Sequence, residues 1–305
     1  MILLTNDEGH PGVLESARQL QQGAAALDAI EAGIRLVEAD PSVRTVGYNA
    51  WPNILGEVEL DAAVMDGASL RTGAVGALVG FHHPVSVARQ VLERLPHEIL
   101  VSAGAARFAA EIGAERIDNL TESSRAAWQR VLQAHAPEAL REDWQRAPLA
   151  ALCQRATDPE LQKGTTVFLA QDGTGAIASG VSTSGWAWKY PGRLGDSPII
   201  GAGSYADSAY GAAACTHTGE MTIRACTARS VVLYLKMGLP LEAAVREAIA
   251  DLHRLRGGLL QGVAVHAIDA AGNFIVATTG GIDVEYWVWT PERPAPERQR
   301  AVQVP

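Results

Sequence analysis

Three cysteines in 305 residues, Cys153, Cys215 and Cys226, are odd in number, far apart and never in a CxxC pair. They exclude a disulfide framework and point to a reducing compartment. Positive charge is also short: 25 Lys and Arg face 34 Asp and Glu, a formal charge of −9. Phosphate backbones and anionic bilayers need a basic surface, so neither nucleic acid nor membrane is expected as a partner. No apolar run approaches the about 18 residues of a membrane span. The opening MILLTNDEGH has no basic region before its short apolar start, so it does not read as a signal peptide. The expected location is cytoplasmic, with a periplasmic or secreted protein, its signal removed, as the alternative. No long repeat occurs, nor does a strand–GxGxxG–helix unit, and GAGSYADSAYG lacks the Lys-Ser/Thr of a phosphate-binding loop. His82-His83 has no acidic or cysteine company at ligand spacing, so no metal and no other cofactor is expected.

What the chain does have is core-forming material: 48% of residues are hydrophobic and 19% charged, enough for one large domain or two ordinary ones. Apolar spacing predicts helices over 13–22 and 24–39, the second stopped by Pro41. RTVGYNAW reads as a short strand and EVELDAAVMDG as a half-exposed one; 84–93 reads as a helix opened by proline. HEILVSAG is strand-like and 105–112 helical. Residues 119–163 hold no convincing strand and are expected to be a surface segment with partial helix. After Gly164 the pattern changes to TTVFLAQ and GAIASGVSTSG, neighbouring strands joined by the turn sequence DGTG. Helices over 227–237 and 241–255 follow, then a hairpin through AAGN and a Pro- and Arg-rich surface tail from 290. Tight turns between strands imply antiparallel sheets, and amphipathic helix pairs must cover them. A layered sheet sandwich with helices outside is expected rather than a doubly wound parallel sheet.

The densest polar stretch, GVSTSGWAWKYPGRLGDSPIIGAGSYAD, puts Thr183 at a strand end and Arg193 and Asp196 in a Gly-flanked turn. A guanidinium fork suits a carboxylate and a carboxylate suits an ammonium. The pair could grip the two charged ends of one amino acid, or stabilise its own loop. In ACTHTGEMTIR, Thr216 and His217 fall at a strand-to-loop junction. A hydroxyl and a backbone N–H there could form an oxyanion hole, or an ordinary turn. The alternating pairs Trp186/Trp188 and Trp287/Trp289 have strand spacing and suit a core or an interface better than a sugar platform.

Taken in order, these pieces resemble a known family. A Gly-Thr bond opens a strand, STSG follows, then GRLGDSP, then CTHTGE, with GAAALDAIEAG, LGEVELDAAVMDG and RTGAVGAL earlier. The set is similar to the glycosylasparaginase (aspartylglucosaminidase) family, with its plant-type asparaginases and isoaspartyl peptidases, among the N-terminal nucleophile hydrolases. The resemblance covers residues 12–281. It implies an α+β fold, a four-layer αββα sandwich, as one domain over 1–305, self-cleaved into 1–164 and 165–305. It implies autocleavage between Gly164 and Thr165, with Thr165 then the nucleophile. Thr183 would hydrogen-bond that nucleophile, and Arg193 and Asp196 would hold the substrate's α-carboxylate and α-ammonium. Thr216 would supply the side-chain donor of the oxyanion hole and His217 the backbone donor. The implied substrate is N4-(β-N-acetylglucosaminyl)-L-asparagine or a related β-aspartyl amide, cleaved by a homodimer of processed protomers. L-asparaginase or isoaspartyl peptidase activity, or an uncleaved family member serving as a binding protein, are the other readings.

The chemistry is self-consistent. A threonine hydroxyl needs a base, and a free α-amine, with a reference pKa of about 7.7–8.0, can serve from the same residue. A glycine before it adds no side chain to obstruct attack and permits an unusual backbone conformation. The sequence departs from the family pattern at Lys163, usually histidine, and at Thr166-Val167, usually Val or Ile then Gly. It departs again at His217, usually glycine, at Asn49-Ala50-Trp51, where a Gly-Gly pair is common, and in lacking an early tryptophan.

Overall fold

The computed structural model describes residues 1–136, 148–157 and 164–304. Residues 137–147 and 158–163, which include Lys163 and much of the expected surface segment, lie outside the described residues. In chain order the elements are β1 (Ile2–Asn6), a 3₁₀ turn (Asp7–Gly9), α1 (His10–Gln21), α2 (Ala26–Ala39), β2 (Leu60–Asp66), β3 (Arg71–Leu78), α3 (Pro84–Arg94), β4 (Ile99–Val101), α4 (Ser102–Glu111), α5 (Glu122–His135) and α6 (Leu149–Ala156). The second half adds β5 (Thr166–Gln171), β6 (Ile177–Thr183), β7 (Ser204–Asp207), β8 (Gly211–His217), α7 (Gly219–Ala225), α8 (Thr227–Lys236), α9 (Leu241–His253), β9 (Val263–Asp269), β10 (Phe274–Thr279), β11 (Glu285–Trp289), β12 (Glu297–Arg300) and β13 (Val302–Gln303). The fold is mixed α+β with two sheets, ordered β12-β11-β1-β5-β6-β2-β3-β4 and β13-β10-β9-β8-β7. All strand pairs are antiparallel except β3–β4 and β10–β13.

Strand alternation explains the packing. Along β5, Phe168 and Ala170 join Ile30, Ile34 and Val37 of α2 in one apolar cluster. Val167 and Leu169, pointing the other way, meet Ala212, Ala214 and Ile268 of the second sheet. That second sheet turns Ala213, Cys215 and Val265 toward Val231 of α8 and Val245 and Ile249 of α9. Period-2 residues on both faces are therefore buried, which is why these strands read as nearly continuous apolar runs.

Several sequence expectations need correction. β2 was expected to be half-exposed, yet every residue from Leu60 to Met65 is buried: its two faces meet two different clusters, and the charges of EVELD mostly precede it. RTVGYNAW forms turns, not a strand. Gly47 and Asn49 take left-handed backbone angles, φ 60° and 67°, which interrupt extension. Asparagine tolerates that region better than most residues, which accounts for its standing where the family commonly has glycine. HEILVSAG contributes only the three residues of β4, and the Arg-rich tail supplies β12 and β13, one to each sheet.

Register positions the site. β5 lies between β1 and β6, antiparallel to both, with Thr5 opposite Phe168 and Ser182 opposite Thr166. The start of β5 therefore lies beside the ends of both neighbours, and Thr165 enters the sheet between Asn6 and Thr183.

Candidate active site

Thr165 is buried, 8% exposed, immediately before β5. Its Oγ1 lies 3.4 Å from Thr183 Oγ1, and the Thr183 hydroxyl lies 2.9 Å from the carbonyl oxygen of Gly164, to which it can donate. One hydroxyl thus touches both the candidate nucleophile and the carbonyl it would attack. Gly164 precedes Thr165 with no side chain. The reason is space: an added Cβ would lie 2.2 Å from Thr45 Oγ1 and 2.6 Å from Thr45 Cβ. Thr45 is held in turn by its carbonyl, which accepts from Ser184 N at 2.8 Å and Ser184 Oγ at 3.1 Å.

Asn6, at the end of β1, clamps the other side. Its Nδ2 donates to the carbonyl of Thr165 and its Oδ1 accepts from Val167 N at 3.0 Å. The same Nδ2 reaches Glu8 Oε2. Burial pushes the Glu8 carboxyl up to about 7, opposed by a backbone hydrogen bond and helped by the charge of Asp7.

Arg193 and Asp196 lie in the loop between β6 and β7. The loop is tied down from below: Gly192 N donates to Glu59 Oε1 at 2.8 Å, and buried Lys189 reaches the Glu59 carbonyl at 3.3 Å. Gly195 N lies 3.4 Å from Asp61 Oδ2. Arg193 stacks over Trp186 at 4.0 Å and donates through Nε and Nη2 to Glu220 Oε1 at 3.0 and 2.7 Å. Asp196, 6% exposed, accepts from Thr222 Oγ1 at 2.6 Å. Burial raises its carboxyl to about 6, against the Thr222 hydrogen bond and the nearby Arg193 charge. Gly185 bridges the two groups: its N–H donates to Thr183 Oγ1 at 2.9 Å, and an added Cβ would lie 3.1 Å from Arg193 Nη1.

Thr216 and His217 end β8, and α7 begins two residues later, so the motif THTGEMT spans both parts of the site. Glu220 and Thr222 of α7 hold Arg193 and Asp196, while an added Cβ at Gly219 would lie 2.9 Å from Asp196 Oδ1. Thr216 Oγ1 lies 2.9 Å from His217 Nδ1. Both residues line a cleft of about 250 Å³ together with Asn6, Asp7, Glu8 and the tail's Arg300. A larger cavity of about 740 Å³, near Met221, Leu252 and Ile282, includes none of the sequence-predicted site residues in its lining.

Thr165, Thr183, Arg193 and Asp196 are thus joined through short contacts and shared neighbours, whereas Thr216 and His217 touch each other and share a cleft with Asn6; four partners were missed: Asn6, Thr45, Glu220 and Thr222. Glu220 and Thr222 stand inside CTHTGEMT and were legible as polar residues on a first helical turn; Asn6 and Thr45 carry no such signal. The His82-His83 pair does have acidic company in space: His82 Nδ1 is 3.6 Å from Glu115 Oε2, and His83 Nδ1 is 3.4 Å from Glu38 Oε2. The rings stack at 3.8 Å with planes 20° apart. His82, His83 and Glu115 each present one ligand-type atom, all within 4.8 Å of one another.

Comparison with known proteins gives the class. The asparaginase family profile matches residues 10–288. The chain belongs to that family of amidohydrolases. It is 36% identical over 278 residues to a plant-type L-asparaginase of Pyrococcus abyssi, covering 88% of each chain. It is 38% identical over 266 residues to an isoaspartyl peptidase of Salmonella typhimurium, covering 86% of this chain and 80% of that one. To an N(4)-(beta-N-acetylglucosaminyl)-L-asparaginase of Elizabethkingia miricola it is 35% identical over 256 residues, covering 84% and 70%. Among the described residues, no helix is long and apolar enough to cross a membrane.

Proposed function

We propose that the chain cuts itself between Gly164 and Thr165 and then hydrolyses the β-amide bond of aspartyl substrates with Thr165 as an N-terminal nucleophile. The observation that carries this reading is the Thr183 hydroxyl, within 3.4 Å of Thr165 Oγ1 and 2.9 Å of the Gly164 carbonyl oxygen. In the uncut chain the Thr165 hydroxyl attacks that carbonyl, Thr183 steadies the developing negative charge, and water hydrolyses the resulting ester. The freed amine of Thr165 then serves as its own base. Arg193 takes the substrate's α-carboxylate, competing with Glu220 for the guanidinium, and Asp196 takes the α-ammonium. Thr216 and the backbone N–H of His217 stabilise the tetrahedral intermediate; water releases aspartate. The three successive apolar clusters, helix–sheet, sheet–sheet and sheet–helix, support reading the fold as a four-layer αββα sandwich. We take the active form to be a homodimer of processed protomers.

The preferred leaving group is a glycosylamine. Among the described residues, the cleft beside Thr216 is lined by the acids Asp7, Glu8, Asp283 and Glu285 and by Arg300, with Arg298 pairing Asp7 and Glu285 from outside the lining. Carboxylates accept hydrogen bonds from sugar hydroxyls and repel the carboxylate of a departing amino acid. Turnover of N4-(β-N-acetylglucosaminyl)-L-asparagine, L-asparagine and a β-aspartyl dipeptide, compared by aspartate release, tests this. The highest kcat/KM is expected for the first, and none from it would defeat the glycosylasparaginase reading in favour of the other two.

A further inference from the structure

His217 occupies a backbone position that glycine would fill without strain: its φ is 84°. A residue with a Cβ loses about 1–2 kcal/mol there, and such strain is most often kept where a side chain has work to do. The imidazole makes a specific contact, Nδ1 to Thr216 Oγ1 at 2.9 Å. Thr216 is the proposed oxyanion donor, so the two demands on its hydroxyl meet at one proton.

We propose that the side chain of His217 is a positioning residue that gates the oxyanion hole by competing for the Thr216 hydroxyl. A hydroxyl carries one proton and two lone pairs. When Nδ1 is bare, it accepts that proton, and Thr216 has none to offer a developing oxyanion. When the ring takes up a proton from solvent, Nδ1–H donates to a lone pair of Thr216 Oγ1 instead. The hydroxyl proton is then released toward the reacting carbonyl. No covalent bond changes; one proton is gained from water and one hydrogen bond reverses direction. The inference rests on the reading of Thr216 given above.

The surroundings decide which neutral tautomer is relevant. His217 lines the cleft with Asp7 and Glu8 from the 3₁₀ turn, Asp283 and Glu285 from the approach to and start of β11, and Arg300 from β12. Arg300 stands 3.6 Å from Asp283 and 3.7 Å from Glu285, and Arg298 stands 2.9 Å from Asp7 and 2.7 Å from Glu285, so both cations are spent on acids of this cleft. Asp7, Asp283 and Glu285 are acceptor-only when ionised and suit a ring with its proton on Nε2, leaving Nδ1 bare in the neutral form. From the neighbouring β9, His266 is buried and held neutral, its titration lowered to about 3 by burial and by the His217 charge, so it adds no cation at neutral pH. Glu220 on α7 is engaged by Arg193. Activity therefore falls as pH rises through the His217 ionisation, opposing the gain as the Thr165 amine loses its proton.

Two measurements test this. His217→Gly keeps the backbone N–H, relieves the strained φ and removes the competitor. The ratio of its kcat to the wild-type kcat should rise by at least about tenfold from below to above the imidazole ionisation, since one oxyanion donor is worth about 10²–10³ in rate. KM for the aspartyl substrate should change little. Independently, 15N-histidine NMR of the uncleaved or processed wild-type chain should show the neutral His217 ring protonated on Nε2, with the resonance assigned by its loss in His217→Gly. A pH-independent kcat ratio, or a neutral ring protonated on Nδ1, would overturn the gate. A wild-type chain that releases no aspartate from any β-aspartyl amide would instead defeat the functional reading, and the tautomer would still decide the inference.

Discussion

Gly164→Ala should block self-cleavage for a reason that can be reversed by design. The new Cβ would lie 2.2, 2.6 and 2.7 Å from Thr45 Oγ1, Cβ and Cγ2, where ordinary contact starts at 3.4 Å. All three side-chain atoms of Thr45 are too close, so no rotation of that residue clears the clash. Its backbone is tied to Ser184. The segment that yields is therefore Gly164–Thr165 itself, by about 1 Å, which takes the scissile carbonyl away from Thr183. A misplacement of that size costs about 10²-fold in rate, equivalent to about 2.7 kcal/mol of barrier. Because Thr45 Cβ alone remains at 2.6 Å, Thr45→Ala is an incomplete remedy, whereas Thr45→Gly removes the three nearest clashing atoms. A time course of fragment appearance on denaturing gels, run for wild type, G164A, T45G and the double variant, measures the effect. Cleavage of G164A within about threefold of wild type, or a double variant no faster than G164A, would refute the steric argument.

Other expectations follow from the same contacts. Thr183→Val keeps the shape of the side chain but removes its donor to the Gly164 carbonyl; cleavage should slow by about 10²-fold or more, read by intact-mass time course. Asp196 is raised from 3.8 to about 6 in the folded chain, so it lends stability that is whole below 3.8 and lost as pH rises through 6. Asp196→Asn in a Thr165→Ala background should therefore raise the stability at pH 8, and with it the melting temperature, by on the order of 3 kcal/mol, with the gain gone at pH 3.5. His266 is lowered from 6.5 to about 3, so the fold should lose stability as pH falls from 6.5 toward 3. His266→Leu should flatten that part of the stability curve, measured by denaturant unfolding at pH 7, 5 and 4.

The chain's own pattern made some of this visible and hid the rest. GTT at a strand start, STSG, GRLGDSP and CTHTGE are short, ordered and local, so together they carried the family resemblance that named Thr165, Thr183, Arg193, Asp196, Thr216 and His217, although each piece alone also suited an ordinary turn or strand. The two-helix start and the hairpin after Gly164 were legible because period and turn residues agree there. Asn6 and Thr45 were not, because what makes them matter is register: β1 and β5 pair across about 160 residues, and Thr45 meets Gly164 from a turn that reads as a strand. The left-handed angles at Gly47 and Asn49, which end extension in that turn, leave only a faint trace in the residue types. The tail from 290 looked like solvent-facing excess because Pro and Arg dominate it, yet backbone pairing with β11 and β10 needs no apolar side chains. Glu38 and Glu115 joined the two histidines by the same long-range route.

The central claim is a single broken bond. Intact-mass spectrometry and N-terminal sequencing of the purified wild-type chain, beside Thr165→Ala, test it most directly. The account predicts two wild-type fragments, one beginning at Met1 and one at Thr165, and one uncut chain of 32.2 kDa for the variant. A wild-type protein that stays a single 32.2 kDa chain, or one cut at any other bond, would contradict it.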